Sequence, residues 1–238
     1  MKGVNKKGGV EKVGLHIWIE SPHKNNLVKI VKNLGFKIDR QRPDFVITFG
    51  GDGTILRAEH RYPGIPKIPI RKSRVCSMCI SYSGTDIEDV LKKVKADQYK
   101  LEKINKVEAI FKNKKFLGLN EVQIHNKDPR KAVRFDLVVD GKKFSEIVGD
   151  GVVFATSYGS TAYYRSLGLE QFKTGIKIGF NNVYPPKKPL ILSGTTEVKI
   201  LREQALLIAD NEESISLKPG DVVRIKKSAQ QAVFVRLL

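Results

Sequence analysis

The stretch Gly50-Gly51-Asp52-Gly53-Thr54 combines the residue types that a phosphate-binding turn needs. It follows an apolar, β-branched run at 44–49 and precedes a helical pattern that begins at Ile55. Glycines let the backbone turn sharply and approach a ligand without Cβ obstruction, and the N–H groups of a helix start bind phosphate. The spacing is neither that of a P-loop nor G-x-G-x-x-G. A tight turn capped by Asp52 is the simpler interpretation, but a carboxylate flanked by glycines at the mouth of an α/β sheet favours a ligand site.

Asp52 has two possible roles in such a site. It can accept the proton of an attacking hydroxyl, or it can help to hold a phosphate-bound magnesium ion. In phosphoryl transfer the protein mainly supplies position and charge neutralisation. A carboxylate beside backbone phosphate donors fits that task, and both roles remain open at this point.

Two further polar segments interrupt apolar strand patterns, namely Asn120-Glu121 and Gly149-Asp150-Gly151. An Asn beside a Glu offers donors and acceptors together, which suits a ribose diol or a carboxamide. Taken singly, the first segment fits a strand end and the second fits a turn.

A third segment, 155–163, carries clustered hydroxyls and runs ATSYGSTAY. Its hydroxyls can bind a phosphate, a ribose or an adenine edge, or they can cap a short helix. The glycine spacing does not fit a nucleophile elbow, and the chain offers no plausible Ser-His-Asp set, so hydrolase chemistry is disfavoured.

The composition limits the classes of partner and the cellular location that this chain can have. The 238 residues carry a net charge of +18, with the basic residues dispersed along the chain. Nucleic acid, anionic membrane and polyanionic small molecules all suit that charge. No run reaches the roughly 18–20 apolar residues of a membrane span, and the basic N-terminus lacks a signal-peptide core. A cytoplasmic location is therefore expected.

The two cysteines, Cys76 and Cys79, lack the further ligands that a structural zinc site needs. We therefore interpret them as two small residues near a strand end and not as a redox pair.

Strand and helix patterns alternate over residues 1–95, which predicts a parallel sheet covered by helices. The helical patterns cover Asn25–Leu34, Ile55–Tyr62 and Asp86–Val94. After residue 96 the chain is β-rich, with a strand-like run over Phe116–His125, and Asp140-Gly141 between two alternating runs predicts a hairpin. We therefore expect an N-terminal α/β domain at 1–95 and a β-rich domain at 96–238, with the site between them.

Taken in this order, the segments resemble the NAD kinase family. GGDGT at 50–54 is identical to the family hallmark, Asn120-Glu121 matches its Asn-Glu pair, and 149–166 resembles its second glycine-rich segment. Asp210 falls at the family's late Asp. The likeness runs from about residue 40 to the end.

The resemblance implies an α/β N-terminal domain and a β-sandwich-like C-terminal domain. It implies phosphorylation of the adenosine-ribose 2′-hydroxyl of NAD by ATP or polyphosphate, with a divalent metal, most simply Mg²⁺, bound mainly through the nucleotide phosphates. The same comparison implies a homodimer or homotetramer. It makes Asp52 the general base and an NAD contact, and it places the phosphates around Gly50, Gly51, Gly53 and Thr54. The other NAD-binding residues that it implies, with Gly53 shared, are Asn120, Glu121, Asp150, Thr161, Ala162, Tyr163, Ser166 and Asp210.

The chain departs from the family at several positions. Arg71–Cys76 replaces a Gly-Phe wall, Ser157-Tyr158 replaces Pro-Thr or Pro-Ser, and Leu169-Glu170 and Asn211 replace Gly-Pro and Gly. The departures bear on the choice among NAD, NADH and phosphoryl donors, and they leave the role of Asp52 unaffected.

Three alternatives stay open at the level of sequence. A lipid or sphingoid-base kinase shares a GGDGT-type segment but has no use for Asn120-Glu121. A catalytically idle NAD(P) sensor would keep the same binding residues. A nucleic-acid-binding protein would show steep salt dependence. Partners other than nucleotides, whether nucleic acid or membrane, are not expected.

Overall fold

The computed structural model describes residues 15–21, 25–71, 87–211 and 214–238. The helices within these ranges are α1 (Asn25–Asn33), α2 (Asp52–Arg61), α3 (Ile87–Lys95) and α4 (Tyr163–Ser166), with a 3₁₀ turn at Gly159–Thr161. The strands are β1 (His16–Glu20), β2 (Lys37–Ile38), β3 (Phe45–Gly50), β4 (Lys67–Arg71), β5 (Tyr99–Phe111), β6 (Lys114–Gly118), β7 (Glu121–Asn126), β8 (Val133–Val139), β9 (Lys142–Gly149), β10 (Gly151–Thr156), β11 (Ile176–Asn181), β12 (Leu190–Ile191), β13 (Thr196–Arg202), β14 (Ala205–Ala209), β15 (Ile215–Leu217) and β16 (Val222–Leu237).

One large sheet runs through the described part of the chain in the order β2-β1-β3-β4-β16-β13-β8-β9, with β5 and β6 paired beside β16. Strands β1 to β4 are parallel to their neighbours, as the alternation of strands and helices predicts. The end of β16 joins β4 in parallel through the pair Phe234 and Lys67. The C-terminal strand thus completes the N-terminal sheet.

The second sheet is antiparallel, in the order β12-β11-β10-β7-β14-β15. The largest core cluster includes residues of both sheets, such as Phe135 on β8 and Phe154 on β10, so the C-terminal half is a β-sandwich. The hairpin at Asp140-Gly141 is confirmed: β8 and β9 pair there, and both turn residues have positive φ, 49° and 77°. Those angles are typical of a type I′ turn.

The helices pack on opposite faces of the N-terminal sheet. Phe45 and Ile47 of β3 face the cluster that contains residues of α1 and α3. Val46 packs instead with Ala58 of α2, as the two-residue period of a strand requires. Because β3 leads directly into α2, the residues between them lie at the carboxyl edge of the parallel strands, where α/β proteins bind ligands.

Two predicted element boundaries are wrong. Helix α2 begins at Asp52 rather than Ile55, so the glycine-rich turn supplies the first helical residues. The predicted strand over Phe116–His125 is divided into β6 and β7 by Leu119-Asn120, because these two residues bend to meet another part of the chain. The α/β and β architecture itself is confirmed, whereas the division of the chain between residues 95 and 96 stays a prediction.

We expect Phe234→Ala to destabilise the junction between the two halves strongly. Phe234 is fully buried, packs with residues of α2 and stacks on Tyr158 with ring centroids 5.6 Å apart. The free energy of unfolding should fall by about 3–5 kcal/mol, as for other buried Phe-to-Ala changes. Chemical denaturation measures this loss. The control Val222→Ala, at the exposed start of the same strand, should cost less than about 1 kcal/mol.

Candidate functional site

Asp52 occupies the first residue of α2, directly after the glycine-rich turn. Gly51 is the N-cap in an extended conformation and makes no side-chain cap. The carboxyl group is partly buried, and this burial raises its pKa. A partly desolvated carboxylate beside the N–H groups of a helix start can accept a proton while an anion binds next to it.

The rest of the turn is shaped by Thr54. Its N–H donates to the Gly51 carbonyl at 3.0 Å, and its buried hydroxyl accepts a bond from Arg57 at 3.4 Å. A Cβ on Gly50 would collide with this threonine side chain. Gly50 is therefore required by packing as well as by access for a ligand.

Asp210 organises the opposite side of the site. Its carboxylate accepts three successive backbone N–H groups, from Leu119 at 2.7 Å, Asn120 at 2.8 Å and Glu121 at 3.2 Å. Burial raises the pKa of Asp210 to about 6, and these three bonds counteract part of that rise. Its own N–H donates to the Glu121 carbonyl at 3.0 Å. Asp210 thus fixes the bend that presents the Asn-Glu pair.

Glu121 is buried, and its carboxyl group has few hydrogen-bond partners. Gln123 donates to one carboxyl oxygen at 3.3 Å, and the other, Oε2, has no hydrogen-bond partner within the described residues. Burial, followed by the charge of Asp210, raises the pKa of Glu121 to about 8. At neutral pH the protonated form is therefore favoured, and it can donate one hydrogen bond and accept another.

The hydroxyl-rich segment is locked onto the Asn-Glu pair. Thr156 donates its hydroxyl to the Leu119 carbonyl at 2.6 Å and its N–H to the Asn120 carbonyl at 2.9 Å. The N–H of Gly159 donates to the Thr156 hydroxyl at 3.1 Å. A Cβ on Gly159 would overlap the backbone of Asn120. This glycine allows the two segments to touch.

Asp150 is held at the neighbouring strand ends. Asn126 donates to its carboxylate at 3.3 Å, and Asn182 donates at 3.1 Å. Tyr163 accepts a bond from Asn181 at 3.1 Å. Burial raises the pKa of Tyr163, and the charges of Asp150 and Glu121 raise it further, so Tyr163 lies within electrostatic reach of both carboxyl groups.

Tyr158 connects the two sides of the site. It is 3% exposed, packs with Ile55 and Leu56 of α2 and with Leu119, and its hydroxyl has no hydrogen-bond partner in the described ranges. Burial raises the pKa of this phenol, and the charges of Asp52 and Asp210 act in the same direction. Asp52 and the Asp210-anchored bend therefore face a common region.

The residues predicted from sequence occupy three places in the structure. The first is the α2 turn, with Gly50, Gly51, Asp52, Gly53 and Thr54. The second is the bend, with Asn120, Glu121 and Asp210, and it is joined to the third place, which holds Asp150 and Tyr163. Thr161 and Ala162 are partly buried beside Tyr163, while Ser166 is exposed and bonds the Tyr163 carbonyl.

Sequence reasoning missed the supporting residues. Gln123, Asn126 and Asn182 hold the acids, and each is a polar residue within or directly after an apolar strand, which is the signal that could have found them. Cys76, Cys79 and residues 72–76 of the predicted departure lie outside the described residues.

Among the residues that the structure describes, no group of three or more His, Cys, Asp or Glu side chains could hold a metal ion. Nor is any described helix long and apolar enough to cross a membrane.

A carboxylate at a glycine-rich helix start, opposite a buried polar pair and a hydroxyl-rich segment, defines a nucleotide-binding protein of the phosphotransferase type. The family model of the ATP-NAD kinase C-terminal domain matches residues 119–237. An NAD kinase of Archaeoglobus fulgidus is 31% identical over 201 residues, 81% of this chain and 78% of the relative. A crystal structure of an NAD kinase from the same organism in complex with ATP has a TM-score of 0.77 at 26% identity and covers 94% of both chains.

This chain belongs to the NAD kinase family. It is also 30% identical, over 232 residues, to a bifunctional NADP phosphatase/NAD kinase of Methanococcus maripaludis. That match covers 90% of this chain and 39% of the longer relative.

Gly159→Ala should disrupt the contact between the hydroxyl-rich segment and the Asn-Glu bend. The added methyl group meets backbone atoms, which cannot move aside as a side chain can. We expect the free energy of unfolding to fall by about 1–3 kcal/mol, the usual cost of overpacking. Denaturant titration checks this. Gly51→Ala is the control, because its Cβ would meet nothing within 4 Å. Equal losses in both variants would contradict the proposed contact.

Glu121→Gln should change the pH dependence of stability. The pKa of Glu121 rises from 4.5 to about 8 on folding. Between those values the folded state keeps a proton that the unfolded state has lost, so the wild type loses stability as pH rises. The variant lacks this loss, and its advantage should grow by up to about 1.4 kcal/mol per pH unit between pH 5 and 8. Urea melts at several pH values test this against exposed Glu170→Gln, which should show no such trend.

Proposed function

We propose that this chain is an NAD kinase, which transfers a phosphoryl group from ATP, or from polyphosphate, to the adenosine-ribose 2′-hydroxyl of NAD and yields NADP. The observation that carries the proposal is the position of Asp52 at the start of α2, across Tyr158 from the bend that Asp210 anchors. Membership of the NAD kinase family and the likeness to a relative solved in complex with ATP support it.

Asp52 acts as the general base in this proposal. Its carboxylate takes the proton of the 2′-hydroxyl while the ribose oxygen forms a bond to the terminal phosphorus of the donor. The bond between that phosphorus and the bridging oxygen breaks, and ADP leaves when ATP is the donor. Gly50, Gly51, Gly53 and Thr54 surround the phosphates, where backbone N–H groups offset the negative charge. The raised pKa of Asp52 makes it a stronger base than an exposed aspartate.

The acceptor nucleotide lies against the Asn-Glu bend and against the neighbouring group that contains Asp150 and Tyr163. Glu121, protonated at neutral pH, has an unused buried oxygen that can bond a ribose diol or a carboxamide. Asn120 and Asp150 complete this polar wall, with Asp210 behind it. Thr161, Ala162, Tyr163 and Ser166 provide the adenine side of the site.

A divalent cation, most simply Mg²⁺, fits a site of this composition when it is held mainly by the donor's phosphates. The described residues hold no cluster of metal-ligating side chains, whereas a phosphate chain supplies the oxygen ligands that Mg²⁺ prefers. When bound, the cation neutralises charge on the transferring group.

We also propose a cytoplasmic homodimer or homotetramer, as the resemblance to the NAD kinase family implies. Tyr184 and Ile191 are 83% and 66% exposed, which suits a surface that another copy covers. Neither nucleic acid nor a membrane is part of this proposal. Light scattering on the purified protein measures the mass.

The activity test is direct. The purified protein is incubated with Mg²⁺, NAD and either ATP or polyphosphate, and NADP is quantified. Product from either donor supports the proposal and identifies the donor. NAD binding without product from any donor would indicate a sensor, and turnover of a sphingoid base in place of NAD would indicate a lipid kinase.

Asp52→Asn should remove the base while keeping the shape of the site. General-base catalysis contributes typically about 10²–10⁴-fold, so kcat should fall by that factor. NAD binding, measured by calorimetry, should change little. The control is Asp128→Asn, which alters an exposed pair with Arg130 in a surface turn and should leave kcat unchanged. A near-normal rate in Asp52→Asn would overturn the base assignment.

A further inference from the structure

A buried cluster of charges lies at the far end of α2. Glu59 accepts hydrogen bonds from two lysines, from Lys67 and from Lys106 at 2.7 Å. The exposed fractions are 3% for Glu59, 0% for Lys67 and 2% for Lys106. Lys67 also donates to the Tyr62 carbonyl at 2.6 Å. Ionised side chains are almost never buried in this way without partners.

The cluster ties three elements together. Glu59 lies on α2, seven residues after Asp52 and therefore about two helical turns along the same face. Lys67 comes from β4 and Lys106 from β5. Any rotation of α2 that moved Asp52 would break both bonds to Glu59, so the cluster fixes the orientation of the helix.

The charges within the cluster do not balance. With both lysines protonated, one glutamate lies between two ammonium groups, which leaves one positive charge in a buried place where an unpaired charge is costly. Burial lowers the pKa of Lys67, and the charge of Lys106 lowers it further, whereas Glu59 raises it. Lys67 satisfies Glu59 and a carbonyl at the helix end. Lys106 is thus the cation whose charge a second acid would neutralise.

That acid is Asp210. Lys106 and Asp210 line the same cavity of about 320 Å³, together with Glu59 and Leu119. The positive charge of Lys106 lowers the pKa of Asp210 against the larger effect of burial. Lys106 therefore bonds the acid of α2 directly and shares a cavity with the acid that anchors the Asn-Glu bend.

We propose that Lys106 is a positioning residue whose buried ammonium couples helix α2, which begins at Asp52, to Asp210 and hence to the bend that presents Asn120 and Glu121. The inference rests on the proposed function, since that function assigns the general base to the start of α2 and the binding of NAD to the bend. It adds a residue that contacts neither substrate and sets the separation between the base and the acceptor nucleotide.

The test compares Lys106→Met with the conservative Lys106→Arg and with Lys67→Met. Lys67→Met removes the other ammonium from the same glutamate, so it is matched for burial and loss of charge. Both methionine variants should be less stable than the wild type. Assays are run at a temperature where circular dichroism shows every variant folded.

Lys106→Met should lower kcat by about 10–100-fold, the effect of a small misplacement of reacting groups, while the KM for NAD stays close to that of the wild type. Arginine at this position should restore most of the rate. Hydrogen exchange of the Leu119, Asn120 and Glu121 amides should become faster in Lys106→Met and remain nearly unchanged in Lys67→Met. This readout does not require activity.

The pKa of Asp210 supplies a further readout. It should move upward from about 6 in Lys106→Met, because the variant lacks the neighbouring cation, and carbon NMR of the carboxyl group measures the change. The other titratable groups that line the same cavity or interact electrostatically with Asp210 are Glu121 on β7, Lys115 on β6, Glu59 and His60 on α2, and the phenol of Tyr158. All of them are retained in this variant.

The outcomes separate the two proposals. A wild type that makes no NADP sinks the proposed function, and the exchange and NMR data still decide whether Lys106 is coupled to the bend. Wild-type activity with an unchanged kcat and unchanged amide exchange in Lys106→Met overturns the positioning role alone. Equal changes of kcat and of amide exchange in Lys67→Met and Lys106→Met overturn the positioning role as well, since they would show general destabilisation.

Discussion

The three hydrogen bonds from the Leu119, Asn120 and Glu121 backbone to the Asp210 carboxylate hold the Asn-Glu bend of the candidate site together. They turn a stretch that would otherwise continue as one strand into a bend between β6 and β7. The hydroxyl-rich segment then packs on that bend through Thr156 and Gly159. Without Asp210, three buried N–H groups would need other partners, and each unpaired one costs about 1–3 kcal/mol.

The protein also buries several charged side chains, among them Glu59, Lys67 and Lys106. A chain with a net charge of +18 places two lysines and several acids in its interior, and most of these buried groups lie around the α2 helix and the bend. Burial raises the pKa of Glu121 and of Asp210, which prepares neutral or weakly acidic carboxyl groups for hydrogen bonding at neutral pH. Perturbed groups of this kind concentrate at functional sites. In this chain Glu121 and Asp210 mark the Asn-Glu bend of the candidate site.

The C-terminal strand explains how the two halves are kept in register. β16 pairs with β13 and β5 in the sandwich and then, beyond a bulge between Lys227 and Gln231, continues beside β4. Its Phe234 packs against α2 and Tyr158. A continuous strand is stiffer than a linker, so Asp52 on α2 and the bend in the sandwich belong to one scaffold. Sites built on such rigid elements hold their geometry more closely than sites on loops.

The sequence by itself determined the alternation of strands and helices and the Asp140-Gly141 hairpin, because periodicity and turn chemistry are local properties. It predicted the glycine-rich turn at 50–54 as the reacting one. It also indicated Asp52, Asn120, Glu121 and Asp150 as site residues, through residue types set in apolar surroundings and through family likeness. Only the tertiary structure decided that Asp210 serves as a backbone anchor and that Lys106 is buried against Glu59. Asp210 lies 89 to 91 residues from the backbone groups that it accepts, and Lys106 lies 47 residues from Glu59, and no local pattern encodes a contact over such distances.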